Sequence, residues 1–281
     1  MLIFNNKADI TSLLSNYKSS NSNIGFVPTM GALHKGHLSL LEKSTQENDI
    51  TVISIFVNPT QFNNPEDLEK YPRTLDADVE KIRSVSDKII VFAPSVHEMY
   101  DGNTTSGSFS FDGLEFQMEG SHRPGHFDGV GTIVKKLLEI VTPTNAYFGE
   151  KDFQQLQIVK KLVEKNNMPI NIIGCPISRE ANGLAMSSRN ERLSTEEKNK
   201  AAFIYKTLQE AKDQFKNSSI EVTKNFVTDA FSAHPEFKMD YFEIAAEDDL
   251  IPATFKENRK YRAFIAVFLS NVRLIDNISL N

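Results

Sequence analysis

Five short apolar runs recur through the first two-thirds of the chain, with helical patterns between them. They cover residues 24–27, 51–57, 88–92, 146–148 and 170–174. Each is rich in β-branched or aromatic residues, as strands buried on both faces are. Leu38, Leu40, Leu41 and Ser44 follow the first run at helical spacing, and residues 77–85 precede the third. Ile133, Val134, Leu137, Leu138 and Val141 make one i, i+3/i+4 stripe; Leu156, Val159, Leu162 and Val163 make another. Strands alternating with helices predict an α/β protein built on a parallel sheet, with ligands bound at the carboxyl ends of its strands.

Past Pro176 the texture changes. Ser194 or Thr195 caps a helix with acids in its first turn, and residues 201–215 continue it. A second helix is expected over 220–231. Strands are expected over 239–245, 261–268 and 272–274. Two helices and then strands predict a smaller α+β unit, so the expected division is 1–176 and 177–281.

Charge and cysteine content narrow the function. The 281 residues carry 37 acids and 31 bases, a net of −6. Residues 1–176 hold 16 bases and 21 acids, and residues 177–281 hold 15 and 16, so neither part is basic. Nucleic acid is therefore not an expected partner. The lone cysteine, Cys175, permits no internal disulfide and follows an apolar run, which predicts an inert packed thiol. Neither a secretory leader nor a membrane span is expected, so the expectation is a soluble cytoplasmic protein.

The chemistry concentrates in four strings. FVPTMGALHKGHLSL, residues 26–40, takes a strand through a loop into a helix. His34 and His37, three residues apart at the helix start, can both face one anion, alongside free backbone N–H groups. Gly36 lets backbone approach a phosphate. The pair alone would also suit surface histidines; the strand–loop–helix junction favours the anion site. His37 stands where a P-loop needs lysine, and Gly129 and Gly131 lack the third glycine of a dinucleotide fingerprint. In FGEKDFQQL, 148–156, Lys151 at a strand's carboxyl end can reach phosphate, and Gln154 and Gln155 can bind a polar substrate. GLAMSSRN, 183–190, offers Ser187, Ser188 and Arg189 to a pyrophosphate and could close over a nucleotide. SIFVNPTQF, 54–62, delivers Asn58 and Gln61 among aromatics, which suits a small, hydroxylated, partly apolar acid. His122 and His126 have zinc spacing, but Pro124 and Gly125 between them argue against one helix. Arg123 beside them could hold an anion.

Together with PRT at residues 72–74 and HRPGHFDGV at 122–130, these strings resemble the pantothenate synthetase (pantoate–β-alanine ligase) family over about residues 20–275. That family belongs to the H-x-G-H nucleotidyltransferase superfamily. The resemblance implies a Rossmann-like N-terminal domain, a smaller C-terminal lid and usually a homodimer. It implies that pantoate attacks the ATP α-phosphate, with magnesium, to give pantoyl adenylate and pyrophosphate. β-Alanine then displaces AMP. Met30, Gly31, Ala32, Leu33, His34, Lys35, Gly36 and His37 would line the ATP site, with His37 as proton donor. Gly149, Glu150, Lys151 and Asp152 would bind ATP, Lys151 at the phosphates. Ser178 would meet adenine through its backbone, and Met186, Ser187, Ser188 and Arg189 would close over the triphosphate. Gln61 and Gln155 would hold pantoate, Gln61 also helping to place β-alanine, with Asn58 and Arg123 as further contacts. Asp76 and Asp78 follow the PRT string without a firm metal assignment. The alternative is a nucleotidyltransferase that stops at nucleotidyl transfer.

Overall fold

The computed structural model describes residues 1–281. In chain order the elements are β1 (Leu2–Phe4), α1 (Lys7–Ser19), β2 (Ile24–Thr29), α2 (Lys35–Glu47), β3 (Ile50–Ile55), α3 (Pro65–Glu69), α4 (Leu75–Val85), β4 (Ile90–Phe92), α5 (Val96–Tyr100), α6 (Met118–His122), α7 (His126–Val141), β5 (Asn145–Gly149), α8 (Phe153–Lys165) and β6 (Asn171–Cys175). Then come α9 (Thr195–Asn217), α10 (Ile220–Ser232), β7 (Phe237–Ala246), β8 (Tyr261–Leu269) and β9 (Val272–Ser279). No helix is long and apolar enough to cross a membrane.

The first six strands form one parallel sheet in the order β1-β4-β3-β2-β5-β6. Side chains alternate between two cores, as period-2 geometry demands. Phe26, Val52, Ile90, Phe92, Ala146 and Phe148 face one, packed with α1, α7 and α8. Val27, Ile53, Val91 and Tyr147 face the other, with Leu40, Leu41 and Ile82 from α2 and α4. Both faces are covered, which is why the strands read as unbroken apolar runs. From β2 the chain winds outward through β3 and β4. It then crosses to the other side of β2 for β5 and β6, making the β2–β5 border the switch point where such sheets bind ligands.

The last three strands form a separate antiparallel sheet, β7-β8-β9, backed by α9 and α10 over a third core. Ser194 caps α9, its hydroxyl accepting from the Glu197 N–H while the Glu197 carboxylate accepts from the Ser194 N–H. Ala245, Leu250 and Phe264 from this part sit in the first sheet's core, so the two parts share apolar contact. Strand β9 runs five residues beyond the expected end at 274 and includes buried Asp276 and Asn277.

Candidate active site

The loop after β2 is built to present two imidazoles. Gly31 (φ +82°) and Ala32 (φ +50°) turn it through left-handed backbone, which Ala32 adopts only at a cost. The buried Asp78 carboxylate, on α4, offsets that cost. It accepts from the N–H groups of Ala32 (2.9 Å) and Leu33 (2.7 Å) and from the Thr74 hydroxyl. Asp78 is thus a loop anchor, and its oxygens are already engaged. His34 then caps α2, with Nδ1 accepting from the Gly36 N–H at 3.2 Å. The His37 Nδ1 accepts from the His34 N–H at 3.3 Å. A β-carbon on Gly36 would lie 2.9 Å from the His34 ring, so this glycine makes room for the cap.

The two rings lie 4.1 Å apart. Burial, then Lys151 and Lys81, push His34 down to about 4; burial, then His34 and Lys151, push His37 down to about 3. With Nδ1 accepting on both, each neutral ring carries its proton on Nε2. The two rings therefore face an anion as neutral N–H donors rather than as cations. Lys81, whose Nζ donates to the Leu33 carbonyl at 2.6 Å, is a nearby base that the motif reading missed.

A pocket of about 240 Å³ opens at the β2–β5 border. Met30, His34, Gly36 and His37 line it, as do Gly149, Lys151, Asp152 and Gln155 from the segment after β5. Ser178, Met186, Ser187, Ser188 and Arg189 form its outer side, and Asn58 and Gln61 its floor. Val130, Ile133, Val134 and Leu137 of α7 add an apolar wall. Tyr71, also unforeseen, lines the pocket, with its hydroxyl 3.4 Å from that of Ser188.

The remaining candidates lie elsewhere. Gly31, Ala32 and Leu33 shape the loop from beneath, all three buried. Lys35 is exposed on the first turn of α2 and, like Glu150, lines neither large cavity. Gln154 is buried and its amide is fully used, donating to the Leu114 and Gln117 carbonyls and accepting from the Glu119 N–H. Of the two glutamines only Gln155 faces the inner pocket.

Gln61 is held on every side. Its Oε1 accepts from Asn58 Nδ2 at 3.1 Å, and its Nε2 points to the Met30 sulfur at 3.1 Å. Its backbone carbonyl accepts from His126 Nδ1 (2.8 Å) and Arg123 (3.3 Å). Asn58 is itself buried, accepting from the Tyr100 hydroxyl at 2.5 Å and donating to the Gly129 carbonyl at 3.1 Å. Arg123 lines a larger cleft of about 790 Å³ that lies between the two parts of the chain and meets the pocket at Lys151, Asp152, Gln155, Ser187 and Arg189. His122 ends α6 and His126 starts α7, and no group of three His, Cys, Asp or Glu is placed to hold a metal. Cys175 is buried, which pushes its thiol up to about 11 and suits an inert role.

A parallel sheet whose switch point carries paired imidazole donors, a lysine and a serine–arginine loop defines a class: an α/β enzyme that handles a phosphorylated substrate. The family profile described as pantoate-beta-alanine ligase matches residues 2–279. A pantothenate synthetase of Flavobacterium psychrophilum is 61% identical over the full length of both chains. The crystal structure of pantothenate synthetase from Thermus thermophilus superposes with a TM-score of 0.92 at 37% identity, covering 100% of this chain and 99% of that one. A pantoate-beta-alanine ligase from Francisella tularensis, complexed with β-γ ATP and β-alanine, gives 0.82 at 38% identity, covering 100% and 98%. The chain belongs to the pantoate–β-alanine ligase family.

Proposed function

We propose that this pocket joins pantoate to β-alanine at the expense of ATP, through a pantoyl adenylate, and releases AMP and pyrophosphate. The observation that carries the reading is the convergence of His34, His37, Lys151 and Arg189 with Gln61 and Gln155 on one pocket at the switch point. In the first step a pantoate carboxylate oxygen attacks the α-phosphorus and pyrophosphate leaves. The Nε2–H groups of His34 and His37, with Lys151 and Arg189, stabilise the phosphate charge; Ser187 and Ser188 add hydroxyls. His37 takes the proton-donor role only as phosphate charge raises its affinity for a proton. Met30 and the backbone at Gly149 and Ser178 border the nucleotide.

Gln61 and Gln155 orient pantoate by neutral hydrogen bonds, so the carboxylate keeps its nucleophilicity. The α7 wall of Val130, Val134 and Leu137 takes the geminal methyl groups of pantoate. The amine of β-alanine then attacks the acyl carbon, entering from the cleft, where Arg123 and Asp152 offer opposite charges. No covalent enzyme intermediate is needed.

Magnesium fits as a companion of the nucleotide. Asp152 is the sole carboxylate lining the pocket, and magnesium is commonly held by one or two carboxylates plus substrate phosphates. When bound it would neutralise phosphate charge. Residues 1–176 act as the ATP- and pantoate-binding unit and 177–281 as its lid, in a cytoplasmic homodimer. Incubation with ATP, magnesium, pantoate and β-alanine should yield AMP and pantothenate in equal amounts; ADP as the nucleotide product would overturn the reading.

A further inference from the structure

Asn277 lies on β9, in the C-terminal sheet, and is 2% exposed. Its side-chain amide donates two hydrogen bonds across to the other part of the chain. They end on the backbone carbonyls of Glu150 and Lys151, each at 2.9 Å. Its Oδ1 accepts from Arg262 Nη1 at 2.6 Å, so the amide can sit only one way round. Arg262 is fixed in turn, lying 4.0 Å over the Phe153 ring and donating to Glu247 at 3.0 Å. Every hydrogen-bonding group of the Asn277 side chain is therefore used, and two of its bonds end on the turn that carries Lys151.

The turn's one ionic contact with the C-terminal part runs to the same cluster, Glu150 Oε2 lying 3.8 Å from Arg262 Nη2. Glu150–Asp152 is a single 3-10 turn without a side-chain cap. The nearest acidic partner of Lys151 Nζ is Asp152, at 3.7 Å, beyond hydrogen-bond range. The direction of the lysine is set mainly by its own backbone, and that backbone is pinned from β9.

We propose that Asn277 is a positioning residue for Lys151: the C-terminal sheet grips the turn after β5 through two carbonyls and so sets where the ammonium meets phosphate. The inference rests on the reading of Lys151 as a phosphate contact. It gives the C-terminal part a second role beyond covering the pocket, because any movement of β9 drags the Lys151 turn with it. Displacement of a positioned group by about 1 Å can cost on the order of 10²-fold in rate.

The test is a double-mutant cycle in pantoate-dependent exchange of labelled pyrophosphate into ATP, on the full chain. Asn277→Asp keeps the shape and the Arg262 contact but replaces Nδ2 and its two N–H donors by a carboxylate oxygen facing both carbonyls. Exchange should fall roughly 10- to 100-fold with the pantoate KM within about threefold, since only the transition-state contact is lost. The Asn277→Asp change should then cost no more than about twofold in a Lys151→Ala background, because the two residues act as one unit. A loss that multiplies fully onto Lys151→Ala, or an Asn277→Asp enzyme as fast as the parent, would overturn the inference. Should Asn277→Asp not fold, Asn277→Ser retains one donor and enters the same cycle. Parental exchange in Lys151→Ala would instead overturn the phosphate reading of Lys151, and this inference with it.

Discussion

At the scale of single residues, neutrality of the histidines is the distinctive feature. His34 and His37 are held near 4 and 3 by burial and neighbouring positive groups, and burial and Arg123 hold His126 at about 4. Neutral rings let two imidazoles sit 4.1 Å apart without repulsion, each with Nδ1 engaged and Nε2 free to donate. The same shifts have a cost in acid. Unfolded histidines protonate near pH 6.5. Below that the unfolded state binds more protons than the folded one, so stability is present above about pH 6.5 and is lost as pH falls toward 4. Urea denaturation should show stability dropping between pH 6.5 and 5, before most carboxylates titrate. His126→Asn should flatten part of that slope. Constant stability across this window would mean the rings are not held neutral.

At the scale of elements, the pocket floor depends on how closely α7 meets the turn that carries Gln61. A β-carbon on Gly129 would fall 2.3 Å from the Thr60 carbonyl oxygen and 2.8 Å from the Gln61 Cα. Neither atom belongs to a flexible side chain. Gly129→Ala should therefore destabilise the protein by roughly 2–3 kcal/mol and raise the KM for pantoate. Parental unfolding and parental KM together would refute this close approach. Gly129 was legible in the sequence as part of an incomplete dinucleotide fingerprint and of the 122–130 string; its packing role was not, because it depends on a partner some 70 residues away. Elements with strong periodicity were legible: five strands of the parallel sheet, α2, α7, α8, α9 and α10. Strand β1 was not, being three residues long with Leu2 and Ile3 largely exposed at the sheet edge. Strand β9 was read too short because Asp276 and Asn277 break its apolar pattern. Both are buried against Arg179 and Arg262 rather than solvated. The pocket residues were legible because they come as contiguous strings. Their supports, Asp78, His126 and Asn277, were not, because each acts on a segment distant in sequence.

At the scale of the whole molecule, the net charge of −6 describes the surface, whereas the working bases converge on one pocket mouth. Arg189 reaches across that mouth to Asp67 at 2.9 Å. A second link between the two parts is a cluster on the cleft wall. Arg273 of β9 donates to both Glu119 oxygens at 2.8 and 2.9 Å and to Asp240 at 2.9 Å, and the Tyr241 hydroxyl also donates to Glu119. Burial would raise the Glu119 carboxyl, but Arg273, with help from Tyr241 and Arg123, outweighs it and holds the group below the usual glutamate value. Arg273→Ala would leave that carboxylate buried without its main partner and should cost roughly 3 kcal/mol or more in denaturant unfolding. A change below about 0.5 kcal/mol, the size of an ordinary surface effect, would show that the cluster does not hold the parts together. On the proposed function, this assembled pocket activates pantoate as its adenylate before the amine takes part. The direct measurement is exchange of labelled pyrophosphate into ATP. Exchange that requires pantoate and proceeds without β-alanine is the predicted result, and exchange absent until β-alanine is added would contradict it.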